Sequence, residues 1–124
     1  MQHQQKYLRA VSKKILAITT DLRYNIKQAE DGTQTMKAVI TVTGKDVVGI
    51  IAKVSAACAE NQANIIDISQ SVLDEYFAMI MVVEIDGIAV EFTRFVEKME
   101  ALGRENGLVI HTMHEDVFNA MHHI

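Results

Sequence analysis

The chain has 124 residues, 49% of them apolar and 23% charged, and a net charge of −4. That is the make-up of one globular domain able to bury roughly two-thirds of its unfolded surface, and it excludes a disordered or membrane-embedded chain. The charge is uneven: residues 1–35 hold six Lys/Arg against three acids and residues 36–124 six against thirteen, an acidic bulk that argues against nucleic acid as a partner.

A single cysteine, Cys58, excludes an internal disulfide and fits a reducing, cytoplasmic setting. No apolar run approaches transmembrane length. The longest apolar stretch near the basic N-terminus, "ILAI" (15–18), falls short of a signal-peptide core.

In chain order, residues 5–29 read as a helix. Leu8, Val11, Ile15, Ile18 and Leu22 form a narrow apolar seam, with Arg9, Lys13, Lys14, Arg23 and Lys27 mostly off it. Such a helix is expected to pack on the rest of the protein or on a twin, in preference to a membrane surface. "AEDGTQT" (29–35) is a polar linker. Residues 1–35 are thus expected to be a basic amphipathic extension, followed by a domain over 36–114 and a short helix or tail over 115–124.

Within that domain "KAVITVTG" (37–44) alternates as a strand. Residues 47–61 read as a helix with Val47, Ile50, Ile51, Val54, Ala57 and Cys58 on one stripe. "NIIDISQSVL" (64–73) is a second strand, with Ile66, Ile68 and Val72 expected on one face and Asp67, Ser69 and Ser71 on the other. "DEY" (74–76) turns the chain into "FAMIMVVEI" (77–85), apolar on both faces and therefore central and covered on both sides. Residues 90–104 form a second helix, with Phe92, Phe95, Val96, Met99 and Leu102 at core spacing and Gly103 and Gly107 as its stop. "LVIHTM" (108–113) is the fourth strand. The order β-α-β-β-α-β is that of an α+β, ferredoxin-like sandwich: a four-stranded antiparallel sheet with two helices on one face. Its other face needs a cover, supplied by the N-terminal helix, the C-terminal helix or a second subunit.

The turn "VTGKDVVGII" (42–51) is the stretch richest in candidate chemistry. Asp46 is placed to cap the helix by accepting from the Val48 or Gly49 N–H. Gly49, costly in a first helical turn, implies close approach of a backbone or a ligand. A helix N-terminus favours an anion. Read alone, the turn is a capped corner. Asn64, opening the second strand, adds an amide with both donor and acceptor for an amino acid's charged groups, and in this plan it can approach the turn of a partner subunit.

"VTGKDVVGIIAKVSAACAENQANIIDISQ" resembles the ACT domain, a small regulatory amino-acid-binding module, through Asp46-x-x-Gly49-Ile50, the helix, and Asn64-Ile65 starting the next strand. The resemblance spans 36–114, and 36–124 is similar to small stand-alone prokaryotic ACT proteins of the glycine-cleavage-regulator kind. It implies a homodimer or higher homo-oligomer with a small-molecule ligand, an amino acid or related metabolite, between subunits, and a contact with a regulated protein. The implied ligand-binding positions are Asp46, Gly49, Ile50, Asn64 and Ile65. Many family members have Asn where this chain has Asp46.

Catalysis, a cofactor and a metal are not expected. Cys58 reads as a core thiol. His111 and His114, three apart on a strand, point to opposite faces. His122-His123 read as a solvated tail. The alternatives are an ACT-fold adaptor that has lost its ligand and, less favoured, a small enzyme or metal-binding protein.

Overall fold

The computed structural model describes residues 36–45 and 48–121. The expected N-terminal helix, Asp46, Val47 and the tail histidines lie outside the described residues. Four strands and three helices follow one another: β1 (Lys37–Lys45), α1 (Ile50–Glu60), β2 (Asn64–Leu73), β3 (Tyr76–Glu84), α2 (Phe92–Asn106), β4 (Val109–His114) and α3 (Glu115–Met121). The sheet is antiparallel in the order β2-β3-β1-β4, the expected ferredoxin-like plan.

The fully apolar sequence of β3 has its reason in this order. Met79, Ile80, Met81, Val82 and Val83 are all at most 2% exposed, because β3 lies inside the sheet and both its faces are covered. On one face Met79, Met81 and Val83 join Ala38, Ile40 and Val42 of β1 and meet Ile50, Val54 and Cys58 of α1 and Phe95 and Met99 of α2. On the other, Ile80 and Val82 join Val39 and are packed by Phe118 of α3. Period-two alternation in β1 thus feeds two cores at once.

The two long helices end and dock as backbone sterics require. Gly107 closes α2 in the left-handed region (φ 68°), the usual place for a glycine past a helix end. Gly103, expected as part of that stop, instead lies inside α2. A Cβ there would stand 2.8 Å from the Leu108 carbonyl oxygen and 3.1 Å from Ile110, so its role is close approach of helix to strand. Asn–Lys hydrogen bonds tie the two helices together, Lys53 Nζ to Asn106 Oδ1 at 2.7 Å and Lys98 Nζ to Asn61 Oδ1 at 3.3 Å.

Two local expectations need correction. The helix begins at Ile50 and not at Val47, with Gly49 in the N-cap position; the expected Asp46 cap lies outside the described residues. In β2 the register with β3 shifts between Ile65 and Asp67. This bulge takes Ile66 out of the alternation, so Ile66 does not share a regular face with Ile68 and Val72. Ile65 opposes Val83, while Ile68 opposes Met81 and Val72 opposes Phe77, which sets all three toward the helix-bearing side. The bulge keeps the apolar residues on that side across an odd-numbered gap.

Candidate functional site

The β1–α1 corner is built by Gly49. Its φ of 78° and ψ of 14° are left-handed, a conformation that L side chains adopt at a cost of about 1–2 kcal/mol. A Cβ on Gly49 would meet nothing within 4 Å. The glycine is therefore there for its backbone angle, and among the described residues no neighbouring backbone crowds it. The Gly49 carbonyl accepts from the Lys53 N–H at 3.0 Å, the first bond of α1. Ile50, 2% exposed, plugs the core below, and Val48, 91% exposed, points to solvent.

Among the described residues no side chain caps α1 and no acid lies in its first turn, and the positive end of the helix dipole there favours an anionic group.

Asn64 and Ile65 open β2. Asn64 is exposed, with its amide donating to Glu84 Oε2 at 3.4 Å. Ile65 is half-buried against the main core. Within one chain these residues and Gly49 do not meet. Lys45, Tyr76 and Leu73 share one end of the sheet; Lys37, Glu84 and Asn64 share the other. The nine steps of β2 put roughly 30 Å between the two ends. The two groups of predicted site residues form one site only if two chains contribute.

Beside them lies the edge that the β-α-β-β-α-β plan led us to expect as the seam between two chains. β2 is an edge strand, and on its helix-bearing side Ile68 (38%) and Val72 (69%) stay exposed, as does Ile51 (38%) in the first turn of α1. Its signal in the sequence is the apolar residues of a strand that the topology places at an edge.

Cys58 is fully buried, and burial pushes its thiol up to about 11, leaving it protonated near neutrality and no nucleophile. His114 stacks on Phe92 at 4.0 Å between ring centroids, on the helix-bearing face with Ala38, while His111 is paired with Thr41 on the opposite face. Among the described residues no group of three or more His, Cys, Asp or Glu could hold a metal ion, and no helix is long and apolar enough to cross a membrane.

This β-α-β-β-α-β sandwich carries a left-handed glycine corner ahead of its first helix. The chain belongs to the ACT domain family, which it matches over residues 37–113. It is 46% identical over 89 residues to a UPF0237 protein of Clostridium perfringens, a match covering 72% of this chain and 100% of that one. Among solved structures it is similar to an ACT domain protein from Streptococcus pneumoniae, with a TM-score of 0.61, 45% identity, and coverage of 71% of this chain and 99% of the other. It is also similar to the regulatory subunit of aspartate kinase from Thermus thermophilus, with a TM-score of 0.50, 27% identity, and coverage of 64% and 51%.

Proposed function

We propose that this protein is a non-catalytic cytoplasmic regulatory module that binds a small amino acid or related metabolite at a homodimer interface. The observation that carries the reading is the left-handed Gly49 corner at the start of α1, over which no described atom would meet an added Cβ. A carboxylate placed there gains backbone donors and the helix dipole.

The unpaired edge of β2 supplies the dimer. Antiparallel apposition of two β2 edges sets the Asn64 end of one strand against the Leu73 end of the other, and so beside the partner's Gly49 corner. The exposed Ile68, Val72 and Ile51 give that junction apolar surface to bury, at about 25 cal/mol per Å². Asn64 then offers its amide, and Asp46 a carboxylate for the ligand's ammonium group. The regulatory subunit of aspartate kinase among the structural relatives supports the same class of function. Binding shifts the population of a form that a protein partner recognises, and needs no chemical step.

Calorimetry and thermal melting of the full chain against the twenty amino acids test this. At least one should release heat and raise the melting temperature, by an amount corresponding to about 2.7 kcal/mol at a hundredfold excess over Kd. If none does either, the ligand-sensing reading fails and the adaptor reading takes its place.

A further inference from the structure

The sheet face opposite α1 and α2 has, among the described residues, only the seven-residue α3 upon it. A helix of that length spans about 10 Å, against roughly 30 Å of β1. Beyond the Phe118 contact the face continues as a band of small side chains, Ser71, Ala78 and Thr43, paired across the sheet and ending at Val109, 54% exposed. Val117 (49%) and Met121 (65%), four apart on α3, present a second exposed apolar strip.

We propose that residues 5–29 dock across this face as a helix, laying the seam of Leu8, Val11, Ile15, Ile18 and Leu22 over the small-residue band and against the Val117–Met121 strip. Three observations choose this occupant. Reach is sufficient: the described chain starts at the edge of this face, where the Met36 N–H donates to the Asp86 carboxylate at 3.1 Å. The seven-residue linker spans up to roughly 24 Å, and a 25-residue helix is about 37 Å long. Charge is complementary. Residues 1–35 carry six Lys/Arg against three acids, and residues 36–124 six against thirteen. Asp67 and Glu84 lie on this face and Asp116 on α3, with Lys37 and the Glu75-paired Lys45 as the bases beside them. Tethering adds an effective concentration in the millimolar range, which a second copy competing for the face lacks. The relative spanned end to end by 89 residues has nothing corresponding to the other 35 of this 124-residue chain. Docking on this face would leave the β2 edge free.

Thiol labelling of the full chain tests the placement. Single variants Ser71→Cys and Val109→Cys report on the two borders of the band, and Val48→Cys, 91% exposed at the other corner, is the comparator. The native Cys58 is buried, and its slow labelling reports an intact fold. Adding Ile15→Asp with Leu22→Asp should raise the labelling rates at 71 and 109 by roughly tenfold or more, the factor for a docking equilibrium of about 1.4 kcal/mol, and leave the rate at 48 unchanged. Rates at 71 and 109 that do not respond to the paired Asp substitutions overturn the proposal. So does protection that disappears on dilution, because a second copy is then the cover.

Discussion

At the scale of single residues, two glycines look alike in sequence and work by opposite means. Gly49 has room around it and an angle that other residues resist; Gly103 has an ordinary helical backbone and no room. Gly49→Ala should therefore cost about 1–2 kcal/mol in chemical denaturation, and Gly49→Asn distinctly less, since Asn tolerates the left-handed region. For Gly103→Ala the intrinsic helix gain of about 1 kcal/mol opposes a backbone contact at 2.8 Å that cannot swing aside. Overpacking costs about 1–3 kcal/mol, so the net effect should be a loss. A gain in stability would mean that α2 and β4 can separate freely. Sequence reasoning found both positions unusual. It gave Gly49 a close approach of a backbone or a ligand, and among the described residues no backbone crowds it; its dihedral requirement was not read, because propensity penalties are the same whichever cause lies behind them.

Cys58 gives a residue-scale prediction with a definite sign. Its thiol ionises at about 9.0 when unfolded and is pushed up to about 11 by burial. Only the unfolded state releases the proton between those values. The stability held below pH 9 is consequently lost progressively up to pH 11. Cys58→Ala should remove this part of the alkaline decline in melting temperature while costing packing at neutral pH; an unchanged pH profile would refute the assignment.

At the scale of elements, the order and type of every strand and helix from Lys37 to His114 were legible, while the segment after it was left as a short helix or tail and is a helix over Glu115–Met121. Each has strong periodicity, and a strand apolar on both faces can only be central. Ends and phases were less so. The first helix starts at Ile50 because the chain must leave β1 through a left-handed residue before it can coil, and a pattern of apolar spacing does not record a dihedral sign. The phase of β2 was misread for a related reason: a bulge changes which residues share a face without changing composition. The candidate site divides in the same way. Gly49 and Asn64 were picked out by residue type, but their placement at opposite ends of the sheet is a property of connection, visible only once the strands are ordered.

At the scale of the whole molecule, the exposed apolar strip on an edge strand is where assembly should be most easily disturbed. Val72→Lys, at a position 69% exposed, places a charge against its own copy across a paired β2 edge. Folding of the monomer should be within about 0.5 kcal/mol of wild type. Sedimentation should show a shift from dimer to monomer, and any amino-acid response should fall with it. A monomer that still binds its ligand at full affinity would separate the pocket from the interface and sink the two-chain site.

The bulge at Ile66 also bears on how this strand tolerates change in length. Ile65 and Asp67 already point to opposite sides, as neighbours in a regular strand do. Deleting Ile66 would thus close the irregularity and leave every later residue of β2 on its present side. Deleting Gln70, four residues on, would invert all that follows, turning Ser71 toward the helices and Val72 toward the opposite face. Among single-residue deletions in the strand, the one at Ile66 should be the mildest. Chains of this family one residue shorter at that point can share the same core, which makes position 66 a natural seam for variation in chain length.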